Sequence, residues 1–423
     1  MANSIMYKHF FSLSAFTALN HFSRIILTLF LARLISPEQF GTFAALLALC
    51  EILLLPASMG FSSSLMRLSH PLFKNQQHDL LQGLKHTYLA ASCLFGVLFV
   101  ACVVTIFTHI SPHQSAKEHV FYLLLIVPIG AVMQSQAAFL IALNKTKLGL
   151  LTQQCLFELL TTAFCLLVVL FFNELSLEVI CQLLFAALLC VVVYQYWLIK
   201  PLLVTTPASY KTKSWCKYSL IMLASGAGTV IVAKLDVLLV HHWFGATGVS
   251  VFFPAIVIVG LLTILANAAS QYLKPILLSE QANGQQIVEL MRLLWRVNTI
   301  AIIFLSLLAH PLLYLYGEKQ LEEGHHLLII LLIGQLLLPA RVLASNIIKL
   351  RGNPLHNLYI LLAATSITLL LASWLKNDYG ITGVAVAFSI GFALGALSRI
   401  SLVLFKMNTP VALLLGNNIQ SDK

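Results

Sequence analysis

Apolar runs of membrane-spanning length recur along almost the whole chain, and that recurrence constrains the fold more than any motif in it. A helix needs about 20 apolar residues to cross ~30 Å of hydrocarbon. Windows of that kind fall at roughly 10–32, 42–66, 84–108, 119–142, 149–172, 177–199, 217–243, 249–273, 295–316, 325–349, 356–375 and 380–404. The connections between them are short and leave no room for a sizeable extramembrane domain. Of 423 residues, 59% are hydrophobic and only 9% charged, whereas a soluble domain is about a quarter charged. In lipid, backbone N–H and C=O groups must be paired within the protein, which leaves helices or closed barrels. Runs of this length predict an all-α integral membrane protein with about 12 transmembrane helices. The first run has no small-residue cleavage site after it and is expected to stay as a span.

Lysine and arginine set the orientation, because they concentrate in cytoplasmic loops. Counting loops alternately from the N-terminus places 18 of the 25 on the N-terminal side and 4 on the other, the remaining three lying inside spans. Both termini are therefore expected in the cytoplasm. The formal charge of +10 then belongs to loops facing the cytoplasmic leaflet, and it calls for no nucleic-acid partner.

An internal repeat is visible at two junctions. LISPEQFGTF (34–43) and WFGATGVSVF (243–252) align at an offset of 209. IALNKTKLGLL (141–151) and IKLRGNPLHNLY (348–359) align at about 207. An even number of spans separates the copies, so the halves share one orientation, a common transporter plan. The expected division is a six-helix lobe over 1–205 and a second over 206–423.

The run LARLISPEQFGTFAALLALCEILLLPASMGFSSSLMR (31–67) resembles the opening of bacterial polysaccharide-transporter proteins. These are lipid-linked oligosaccharide flippases of the O-antigen translocase type. They belong to the multidrug/oligosaccharidyl-lipid/polysaccharide exporter superfamily. KLDVLLVHHWFGATGVSVF (234–252) and NDYGITGVAVAFSIG (377–391) resemble two later family segments. Many members carry an acidic or polar residue where Met59 stands, and Gly where Ser250 stands. The resemblance implies two six-helix lobes forming a V around a central cavity. It implies translocation of an undecaprenyl-diphosphate-linked oligosaccharide from the cytoplasmic to the periplasmic leaflet of the bacterial inner membrane, for O-antigen or capsule biosynthesis. The chain is then a transporter rather than an enzyme and takes no cofactor, with H+ or Na+ coupling as a candidate driving force. Its partners would be the lipid-linked glycan, membrane lipids, and the polysaccharide polymerase and chain-length machinery. A cation-coupled multidrug exporter of the same superfamily is the alternative. A glycan polymerase or ligase is disfavoured by the short outer loops.

Six ionisable residues other than His fall well inside spans: Arg24, Glu51, Glu158, Lys234, Asp236 and Arg341. Such charges usually face a bundle interior or a wet cavity. At about 1.5 Å per residue, Lys234 lies about 15 Å from the outer end of its span and Arg24 about 16 Å. An unpaired charge at that depth costs about 2.5–3.5 kcal/mol. Lys234 and Asp236 cannot offset each other, since residues i and i+2 point apart on a helix. Arg binds phosphate bidentately and Lys as a point charge, so Arg24, Lys234 and Arg341 are candidates for holding the lipid diphosphate. The other reading makes them structural ion pairs with Glu51, Glu158 and Asp236. Those acids are also candidates for ion coupling.

Asn267 and Gln271 share a helix face and suit hydrogen bonds to glycan hydroxyls or to another helix. His241-His242 and His325-His326 read as interfacial residues, and no metal site is expected. Eight cysteines lack any CxxC spacing and read as free thiols. Pro56, Pro128, Pro254 and Pro339 interrupt spans and are candidate kinks. No phosphate-binding Gly-rich loop or hydrolase motif is present.

Overall fold

A computed structural model describes residues 2–110, 121–172, 175–203, 207–278, 284–407 and 410–416. Among these there is no strand. The helices are α1 (Ala2–Leu34), α2 (Pro37–Ala57), α3 (Phe61–Lys74), α4 (His78–Ile110), α5 (Leu123–Ala142), α6 (Thr146–Leu151), α7 (Phe157–Phe172), α8 (Leu177–Ile199), α9 (Thr212–Gly260), α10 (Thr263–Leu278), α11 (Gly284–Leu307), α12 (Ala309–Tyr316), α13 (Glu318–Gly334), α14 (Leu338–Arg351), α15 (Pro354–Lys406) and α16 (Val411–Leu415). A π-turn, Thr152–Leu156, joins α6 to α7.

Among the described residues seven helices are long and apolar enough to cross a membrane, or eight if the bent pair α13–α14 counts as one span. Many large apolar side chains face outward, such as Phe171 at 78%, Trp197 at 72% and Phe405 at 83% exposure. Side chains of that kind on an outer face need lipid rather than water against them, so this is a multi-pass membrane protein.

Two of the long helices are each a pair of arms. Gly245 inside α9 has φ 70° and ψ −169°, and Gly380 inside α15 has φ 57° and ψ −137°. Only glycine takes such values without steric cost. They fall in the turns read between the seventh and eighth and the eleventh and twelfth windows. Helix starts follow local chemistry. Ser36 caps α2 by accepting from the Gln39 N–H, with Pro37 at the first position and Glu38 in the first turn. Asn353 caps α15 by accepting from the Leu355 N–H, with Pro354 following.

The second and tenth windows are not continuous helices. The second breaks at Ser58–Gly60, where Met59 (φ 52°) and Gly60 (φ 77°) are both left-handed. A Cβ on Gly60 would also collide with the Ser219 carbonyl of α9. The tenth bends by 46° between α13 and α14. Pro339 sits in the first turn of α14, where its missing N–H costs nothing, so the proline starts a helix rather than kinking one. The bend loosens the carbonyls of Gln335 and Leu336. Buried Asn298 on α11 donates its Nδ2 to both, at 3.2 and 3.4 Å.

Contacts divide the described residues into two compact units, Met1–Ile25 with Ser250–Lys423 and Ile26–Val249. This is a different division from the sequence halves 1–205 and 206–423. Within the second unit, Phe61, Leu65, Leu81, Leu84, Tyr88 and Phe139 build a core between α3, α4 and α5. The repeat-related junctions also meet there, since a Cβ on Gly41 would collide with the Ala246 carbonyl. In the other unit, Leu273, Met291, Leu343, Ile348 and Val403 join α10, α11, α14 and α15.

Two stability effects are expected. Asn298→Leu strands the Leu336 carbonyl, while that of Gln335 keeps the Leu338 N–H, and should cost about 1–3 kcal/mol, read as a lower unfolding midpoint in mild detergent. Met59→Asn should stabilise the fold by up to about 1 kcal/mol, read as a higher midpoint, because Asn tolerates left-handed backbone better than Met. An unchanged midpoint in either variant would contradict its account.

Candidate functional site

The charge that stood out in VAKLDVLLV (232–240) has a partner. Lys234 Nζ on α9 lies 2.5 Å from Glu51 Oε2 on α2, with both side chains 25% exposed. The pair joins two helices of one unit at residues far apart in sequence. Asp236 makes no ion pair with it among the described residues: its Oδ1 accepts the Val237 N–H at 2.8 Å. A carboxylate that folds back on its own backbone is how a short acid is held when the helical period turns it away from Lys234.

The surroundings of Glu51 are tight. Cys50, Leu53 and Leu55 are buried beside it. Gly130 of α5 leaves room for the Leu54 side chain, which a Cβ there would strike. Past the turn at Gly60, the Ser64 and Ser219 hydroxyls lie 2.6 Å apart and tie α3 to α9. One hydroxyl donates and the other accepts.

The remaining residues expected at the site lie on other helices. Arg24 is half-buried on α1 and belongs to the other unit. Glu158 is half-buried at the start of α7, just after the π-turn. Thr152 in that turn accepts from Gln195 Nε2 at 2.9 Å, which fixes the irregular backbone against α8. Arg341 is half-buried on α14, with its guanidinium carbon 5.2 Å from the Phe392 ring centroid. Asn267 is exposed and its side chain makes no hydrogen bond among the described residues. The side chain of Gln271 lies outside the described residues. Among the described residues no three His, Cys, Asp or Glu side chains cluster closely enough to hold a metal.

One buried charge was hidden in the sequence. Arg399 reads as a loop charge near the end of the last window, yet it is 7% exposed within the second arm of α15. Its Nε donates to Asn357 Oδ1 at 2.8 Å and its Nη1 to the Gly395 carbonyl at 2.7 Å. The readable signal was the G-x-x-x-G pair Gly391 and Gly395 in an apolar run, which marks close helix packing. A Cβ on Gly391 would strike Thr368 of the opposite arm, and one on Gly395 would crowd Ala364. The two arms therefore pack closely, and Arg399 continues the same face.

These features define a polytopic helical membrane protein with charges paired and buried between its helices. The fold is shared with solved transporters of the MOP superfamily. An inward-facing multidrug resistance MATE family transporter of that superfamily matches with a TM-score of 0.76 at 14% identity, over 92% of this chain and 94% of that one. An outward-facing one matches at 0.68 and 13% identity, over 95% and 96%. A Vibrio cholerae MATE transporter matches at 0.63 and 13%, over 97% and 99%. A comparison with curated proteins finds no match. The family model described as polysaccharide biosynthesis protein matches residues 6–281, well over half of the chain. The chain belongs to that family.

The ion pair yields a thermodynamic test. Lys234→Met or Glu51→Gln alone leaves one charge at depth, and each should cost about 2.5–3.5 kcal/mol. The double variant should recover most of that loss, because a removed pair leaves no orphan. Additive losses in reversible unfolding from mixed micelles would rule out the coupling.

Proposed function

We propose that the chain is a flippase that moves an undecaprenyl-diphosphate-linked oligosaccharide from the cytoplasmic to the periplasmic leaflet of the bacterial inner membrane. It serves surface polysaccharide assembly, O-antigen or capsule. The observation that carries this reading is membership of the polysaccharide biosynthesis family over residues 6–281. Twelve spans in two six-helix lobes, alternating in access, with both termini cytoplasmic, are part of the same proposal. The polymerase and chain-length machinery are its partners downstream.

The chemistry of the charged residues supports an anionic passenger. Arg24, Lys234 and Arg341 offer cations at depths where a diphosphate loses its water. A site where these must be desolvated strengthens each contact. Lys234 is held by Glu51. A diphosphate competes with Glu51 for that ammonium, and protonation of Glu51 releases it. This gives H+ coupling a physical route: an arriving proton neutralises the acid and an arriving phosphate takes the cation. Na+ at the carboxylate would act in the same sense.

The second reading is a cation-coupled multidrug exporter, favoured by the fold shared with MATE transporters. The acids Glu51, Glu158 and Asp236 would then bind the cationic drug or its coupling ion.

A deletion strain should lose surface polysaccharide and build up its lipid-linked precursor. The intact chain should restore export, and Arg24→Ala or Lys234→Ala at matched protein levels should lower it about tenfold or more, the loss of one charge-assisted contact. Full export by both variants removes the cavity-cation idea. Raised resistance to cationic drugs without restored export would favour the second reading. A reporter fused after Lys423 should be active only in its cytoplasmic form.

A further inference from the structure

Away from their basic ends, α14 and α15 each hold one arginine, Arg341 and Arg399, that has no carboxylate partner among the described residues. Arg341 has five N–H donors, and its described contact is the face of the Phe392 ring, which accepts none in the guanidinium plane. Arg399 spends two donors on Asn357 and the Gly395 carbonyl. Among the described residues no carboxylate pairs with either. Two like charges inside apolar helices cost more than either alone, and an anion joining them would offset part of that cost.

The scaffold aligns them. Arg341 and Ser345 share one face of α14 at i, i+4. Phe392 and Arg399 share one face of α15, two turns apart. Ser345 donates its hydroxyl to Asn357 Oδ1 at 3.3 Å, and Asn357 accepts from Arg399 through the same oxygen. This makes two rungs between α14 and α15: Arg341 on Phe392, and Ser345–Asn357–Arg399. Arg399 lies seven residues, about 10 Å, before Lys406 at the basic end of α15. Arg341 lies ten residues, about 15 Å, before Arg351 at the basic end of α14. The charges thus step from the basic side toward the middle of the helices.

We propose that Arg341 and Arg399 form an anion site that takes the phosphate oxygens of a lipid-borne mono- or diphosphate. The ring holds Arg341 by its face and leaves its edge N–H groups for two oxygens, the bidentate geometry that guanidinium favours. Asn357 and the Gly395 carbonyl orient Arg399 from behind and leave the rest of its fork. The proposal builds on the reading of an anionic lipid substrate, and it names residues of α14 and α15 as a place where the headgroup rests. A lipid is the source because the site lies along apolar helices whose outer faces carry exposed side chains such as Phe405 and Leu397.

The test uses the full chain in phosphatidylcholine nanodiscs, with geranylgeranyl diphosphate, geranylgeraniol and inorganic pyrophosphate as probes in calorimetry. Geranylgeranyl diphosphate should bind and raise the unfolding temperature. Arg341→Gln and Arg399→Gln should each weaken it about tenfold or more, and Arg399→Lys should retain part of the affinity as a point charge. Arg341→Gln breaks no hydrogen bond of the fold and keeps the test open if the Arg399 variants do not fold. Equal binding by wild type and the Gln variants overturns the site. Pyrophosphate binding as tightly as the lipid diphosphate overturns the lipid as its source, and geranylgeraniol doing so overturns the phosphate. Arginine-dependent binding by a chain that does not restore glycan export keeps the site and removes the flippase reading. Restored export with arginine-independent binding does the reverse.

Discussion

Every backbone polar group in the hydrocarbon has to find its partner within the protein, because lipid offers none. At three of the described departures from regular helix the bonds are still made. At the turn after α2, the Ser58, Met59 and Gly60 N–H groups return to Leu54, Pro56 and Leu55. Between α9 and α10, Leu261 and Leu262 bond back to Ile258 and Val259. Between α13 and α14, tight i to i−3 bonds carry the chain around the bend, and a side chain from α11 takes up the freed carbonyls. Breaks of this kind are tolerated at membrane depth only when something supplies the missing partners.

Charge obeys the same rule with higher stakes. Lys234 and Glu51 answer each other across two helices. Asp236 is steadied by its own backbone. Lys85, 7% exposed, lies over the Tyr196 ring at 4.6 Å, where the face of the ring substitutes for a counter-ion. Arg341 has the face of the Phe392 ring and Arg399 two neutral acceptors, but neither has a carboxylate among the described residues, and that difference from Lys234 is the ground of the anion site proposed for them. A pair can still be functional, since a bound phosphate or a proton can exchange with one of its members.

Fold and family point to related but distinct chemistry. The fold is one that MATE transporters share at 13–14% identity, and a fold alone does not assign a passenger. The family is named for polysaccharide biosynthesis. The two agree on a membrane protein. The architecture leaves the passenger open, and for this reason the charges inside the helices bear more on function.

Much of the architecture was legible in the amino-acid sequence because the membrane imposes a one-dimensional rule. Apolar runs of fixed length, interrupted by Ser36-Pro37, Gly245, Asn353-Pro354 and Gly380, mark helices and their ends from local chemistry alone. The depth of Lys234 and its mismatch with Asp236 also follow from helical period. Three-dimensional packing decided the rest. That Lys234 meets Glu51 depends on which faces of α2 and α9 oppose, a matter of side-chain packing between residues 183 positions apart. Arg399 read as a loop residue because a window of hydropathy ends near it, whereas the close approach permitted by Gly391 and Gly395 draws it between helices. The sequence by itself determined a multi-pass helical membrane protein with charges at depth, since length and period are local properties. Only the tertiary structure decided which charges are neutralised, because an ion pair is a property of two surfaces meeting.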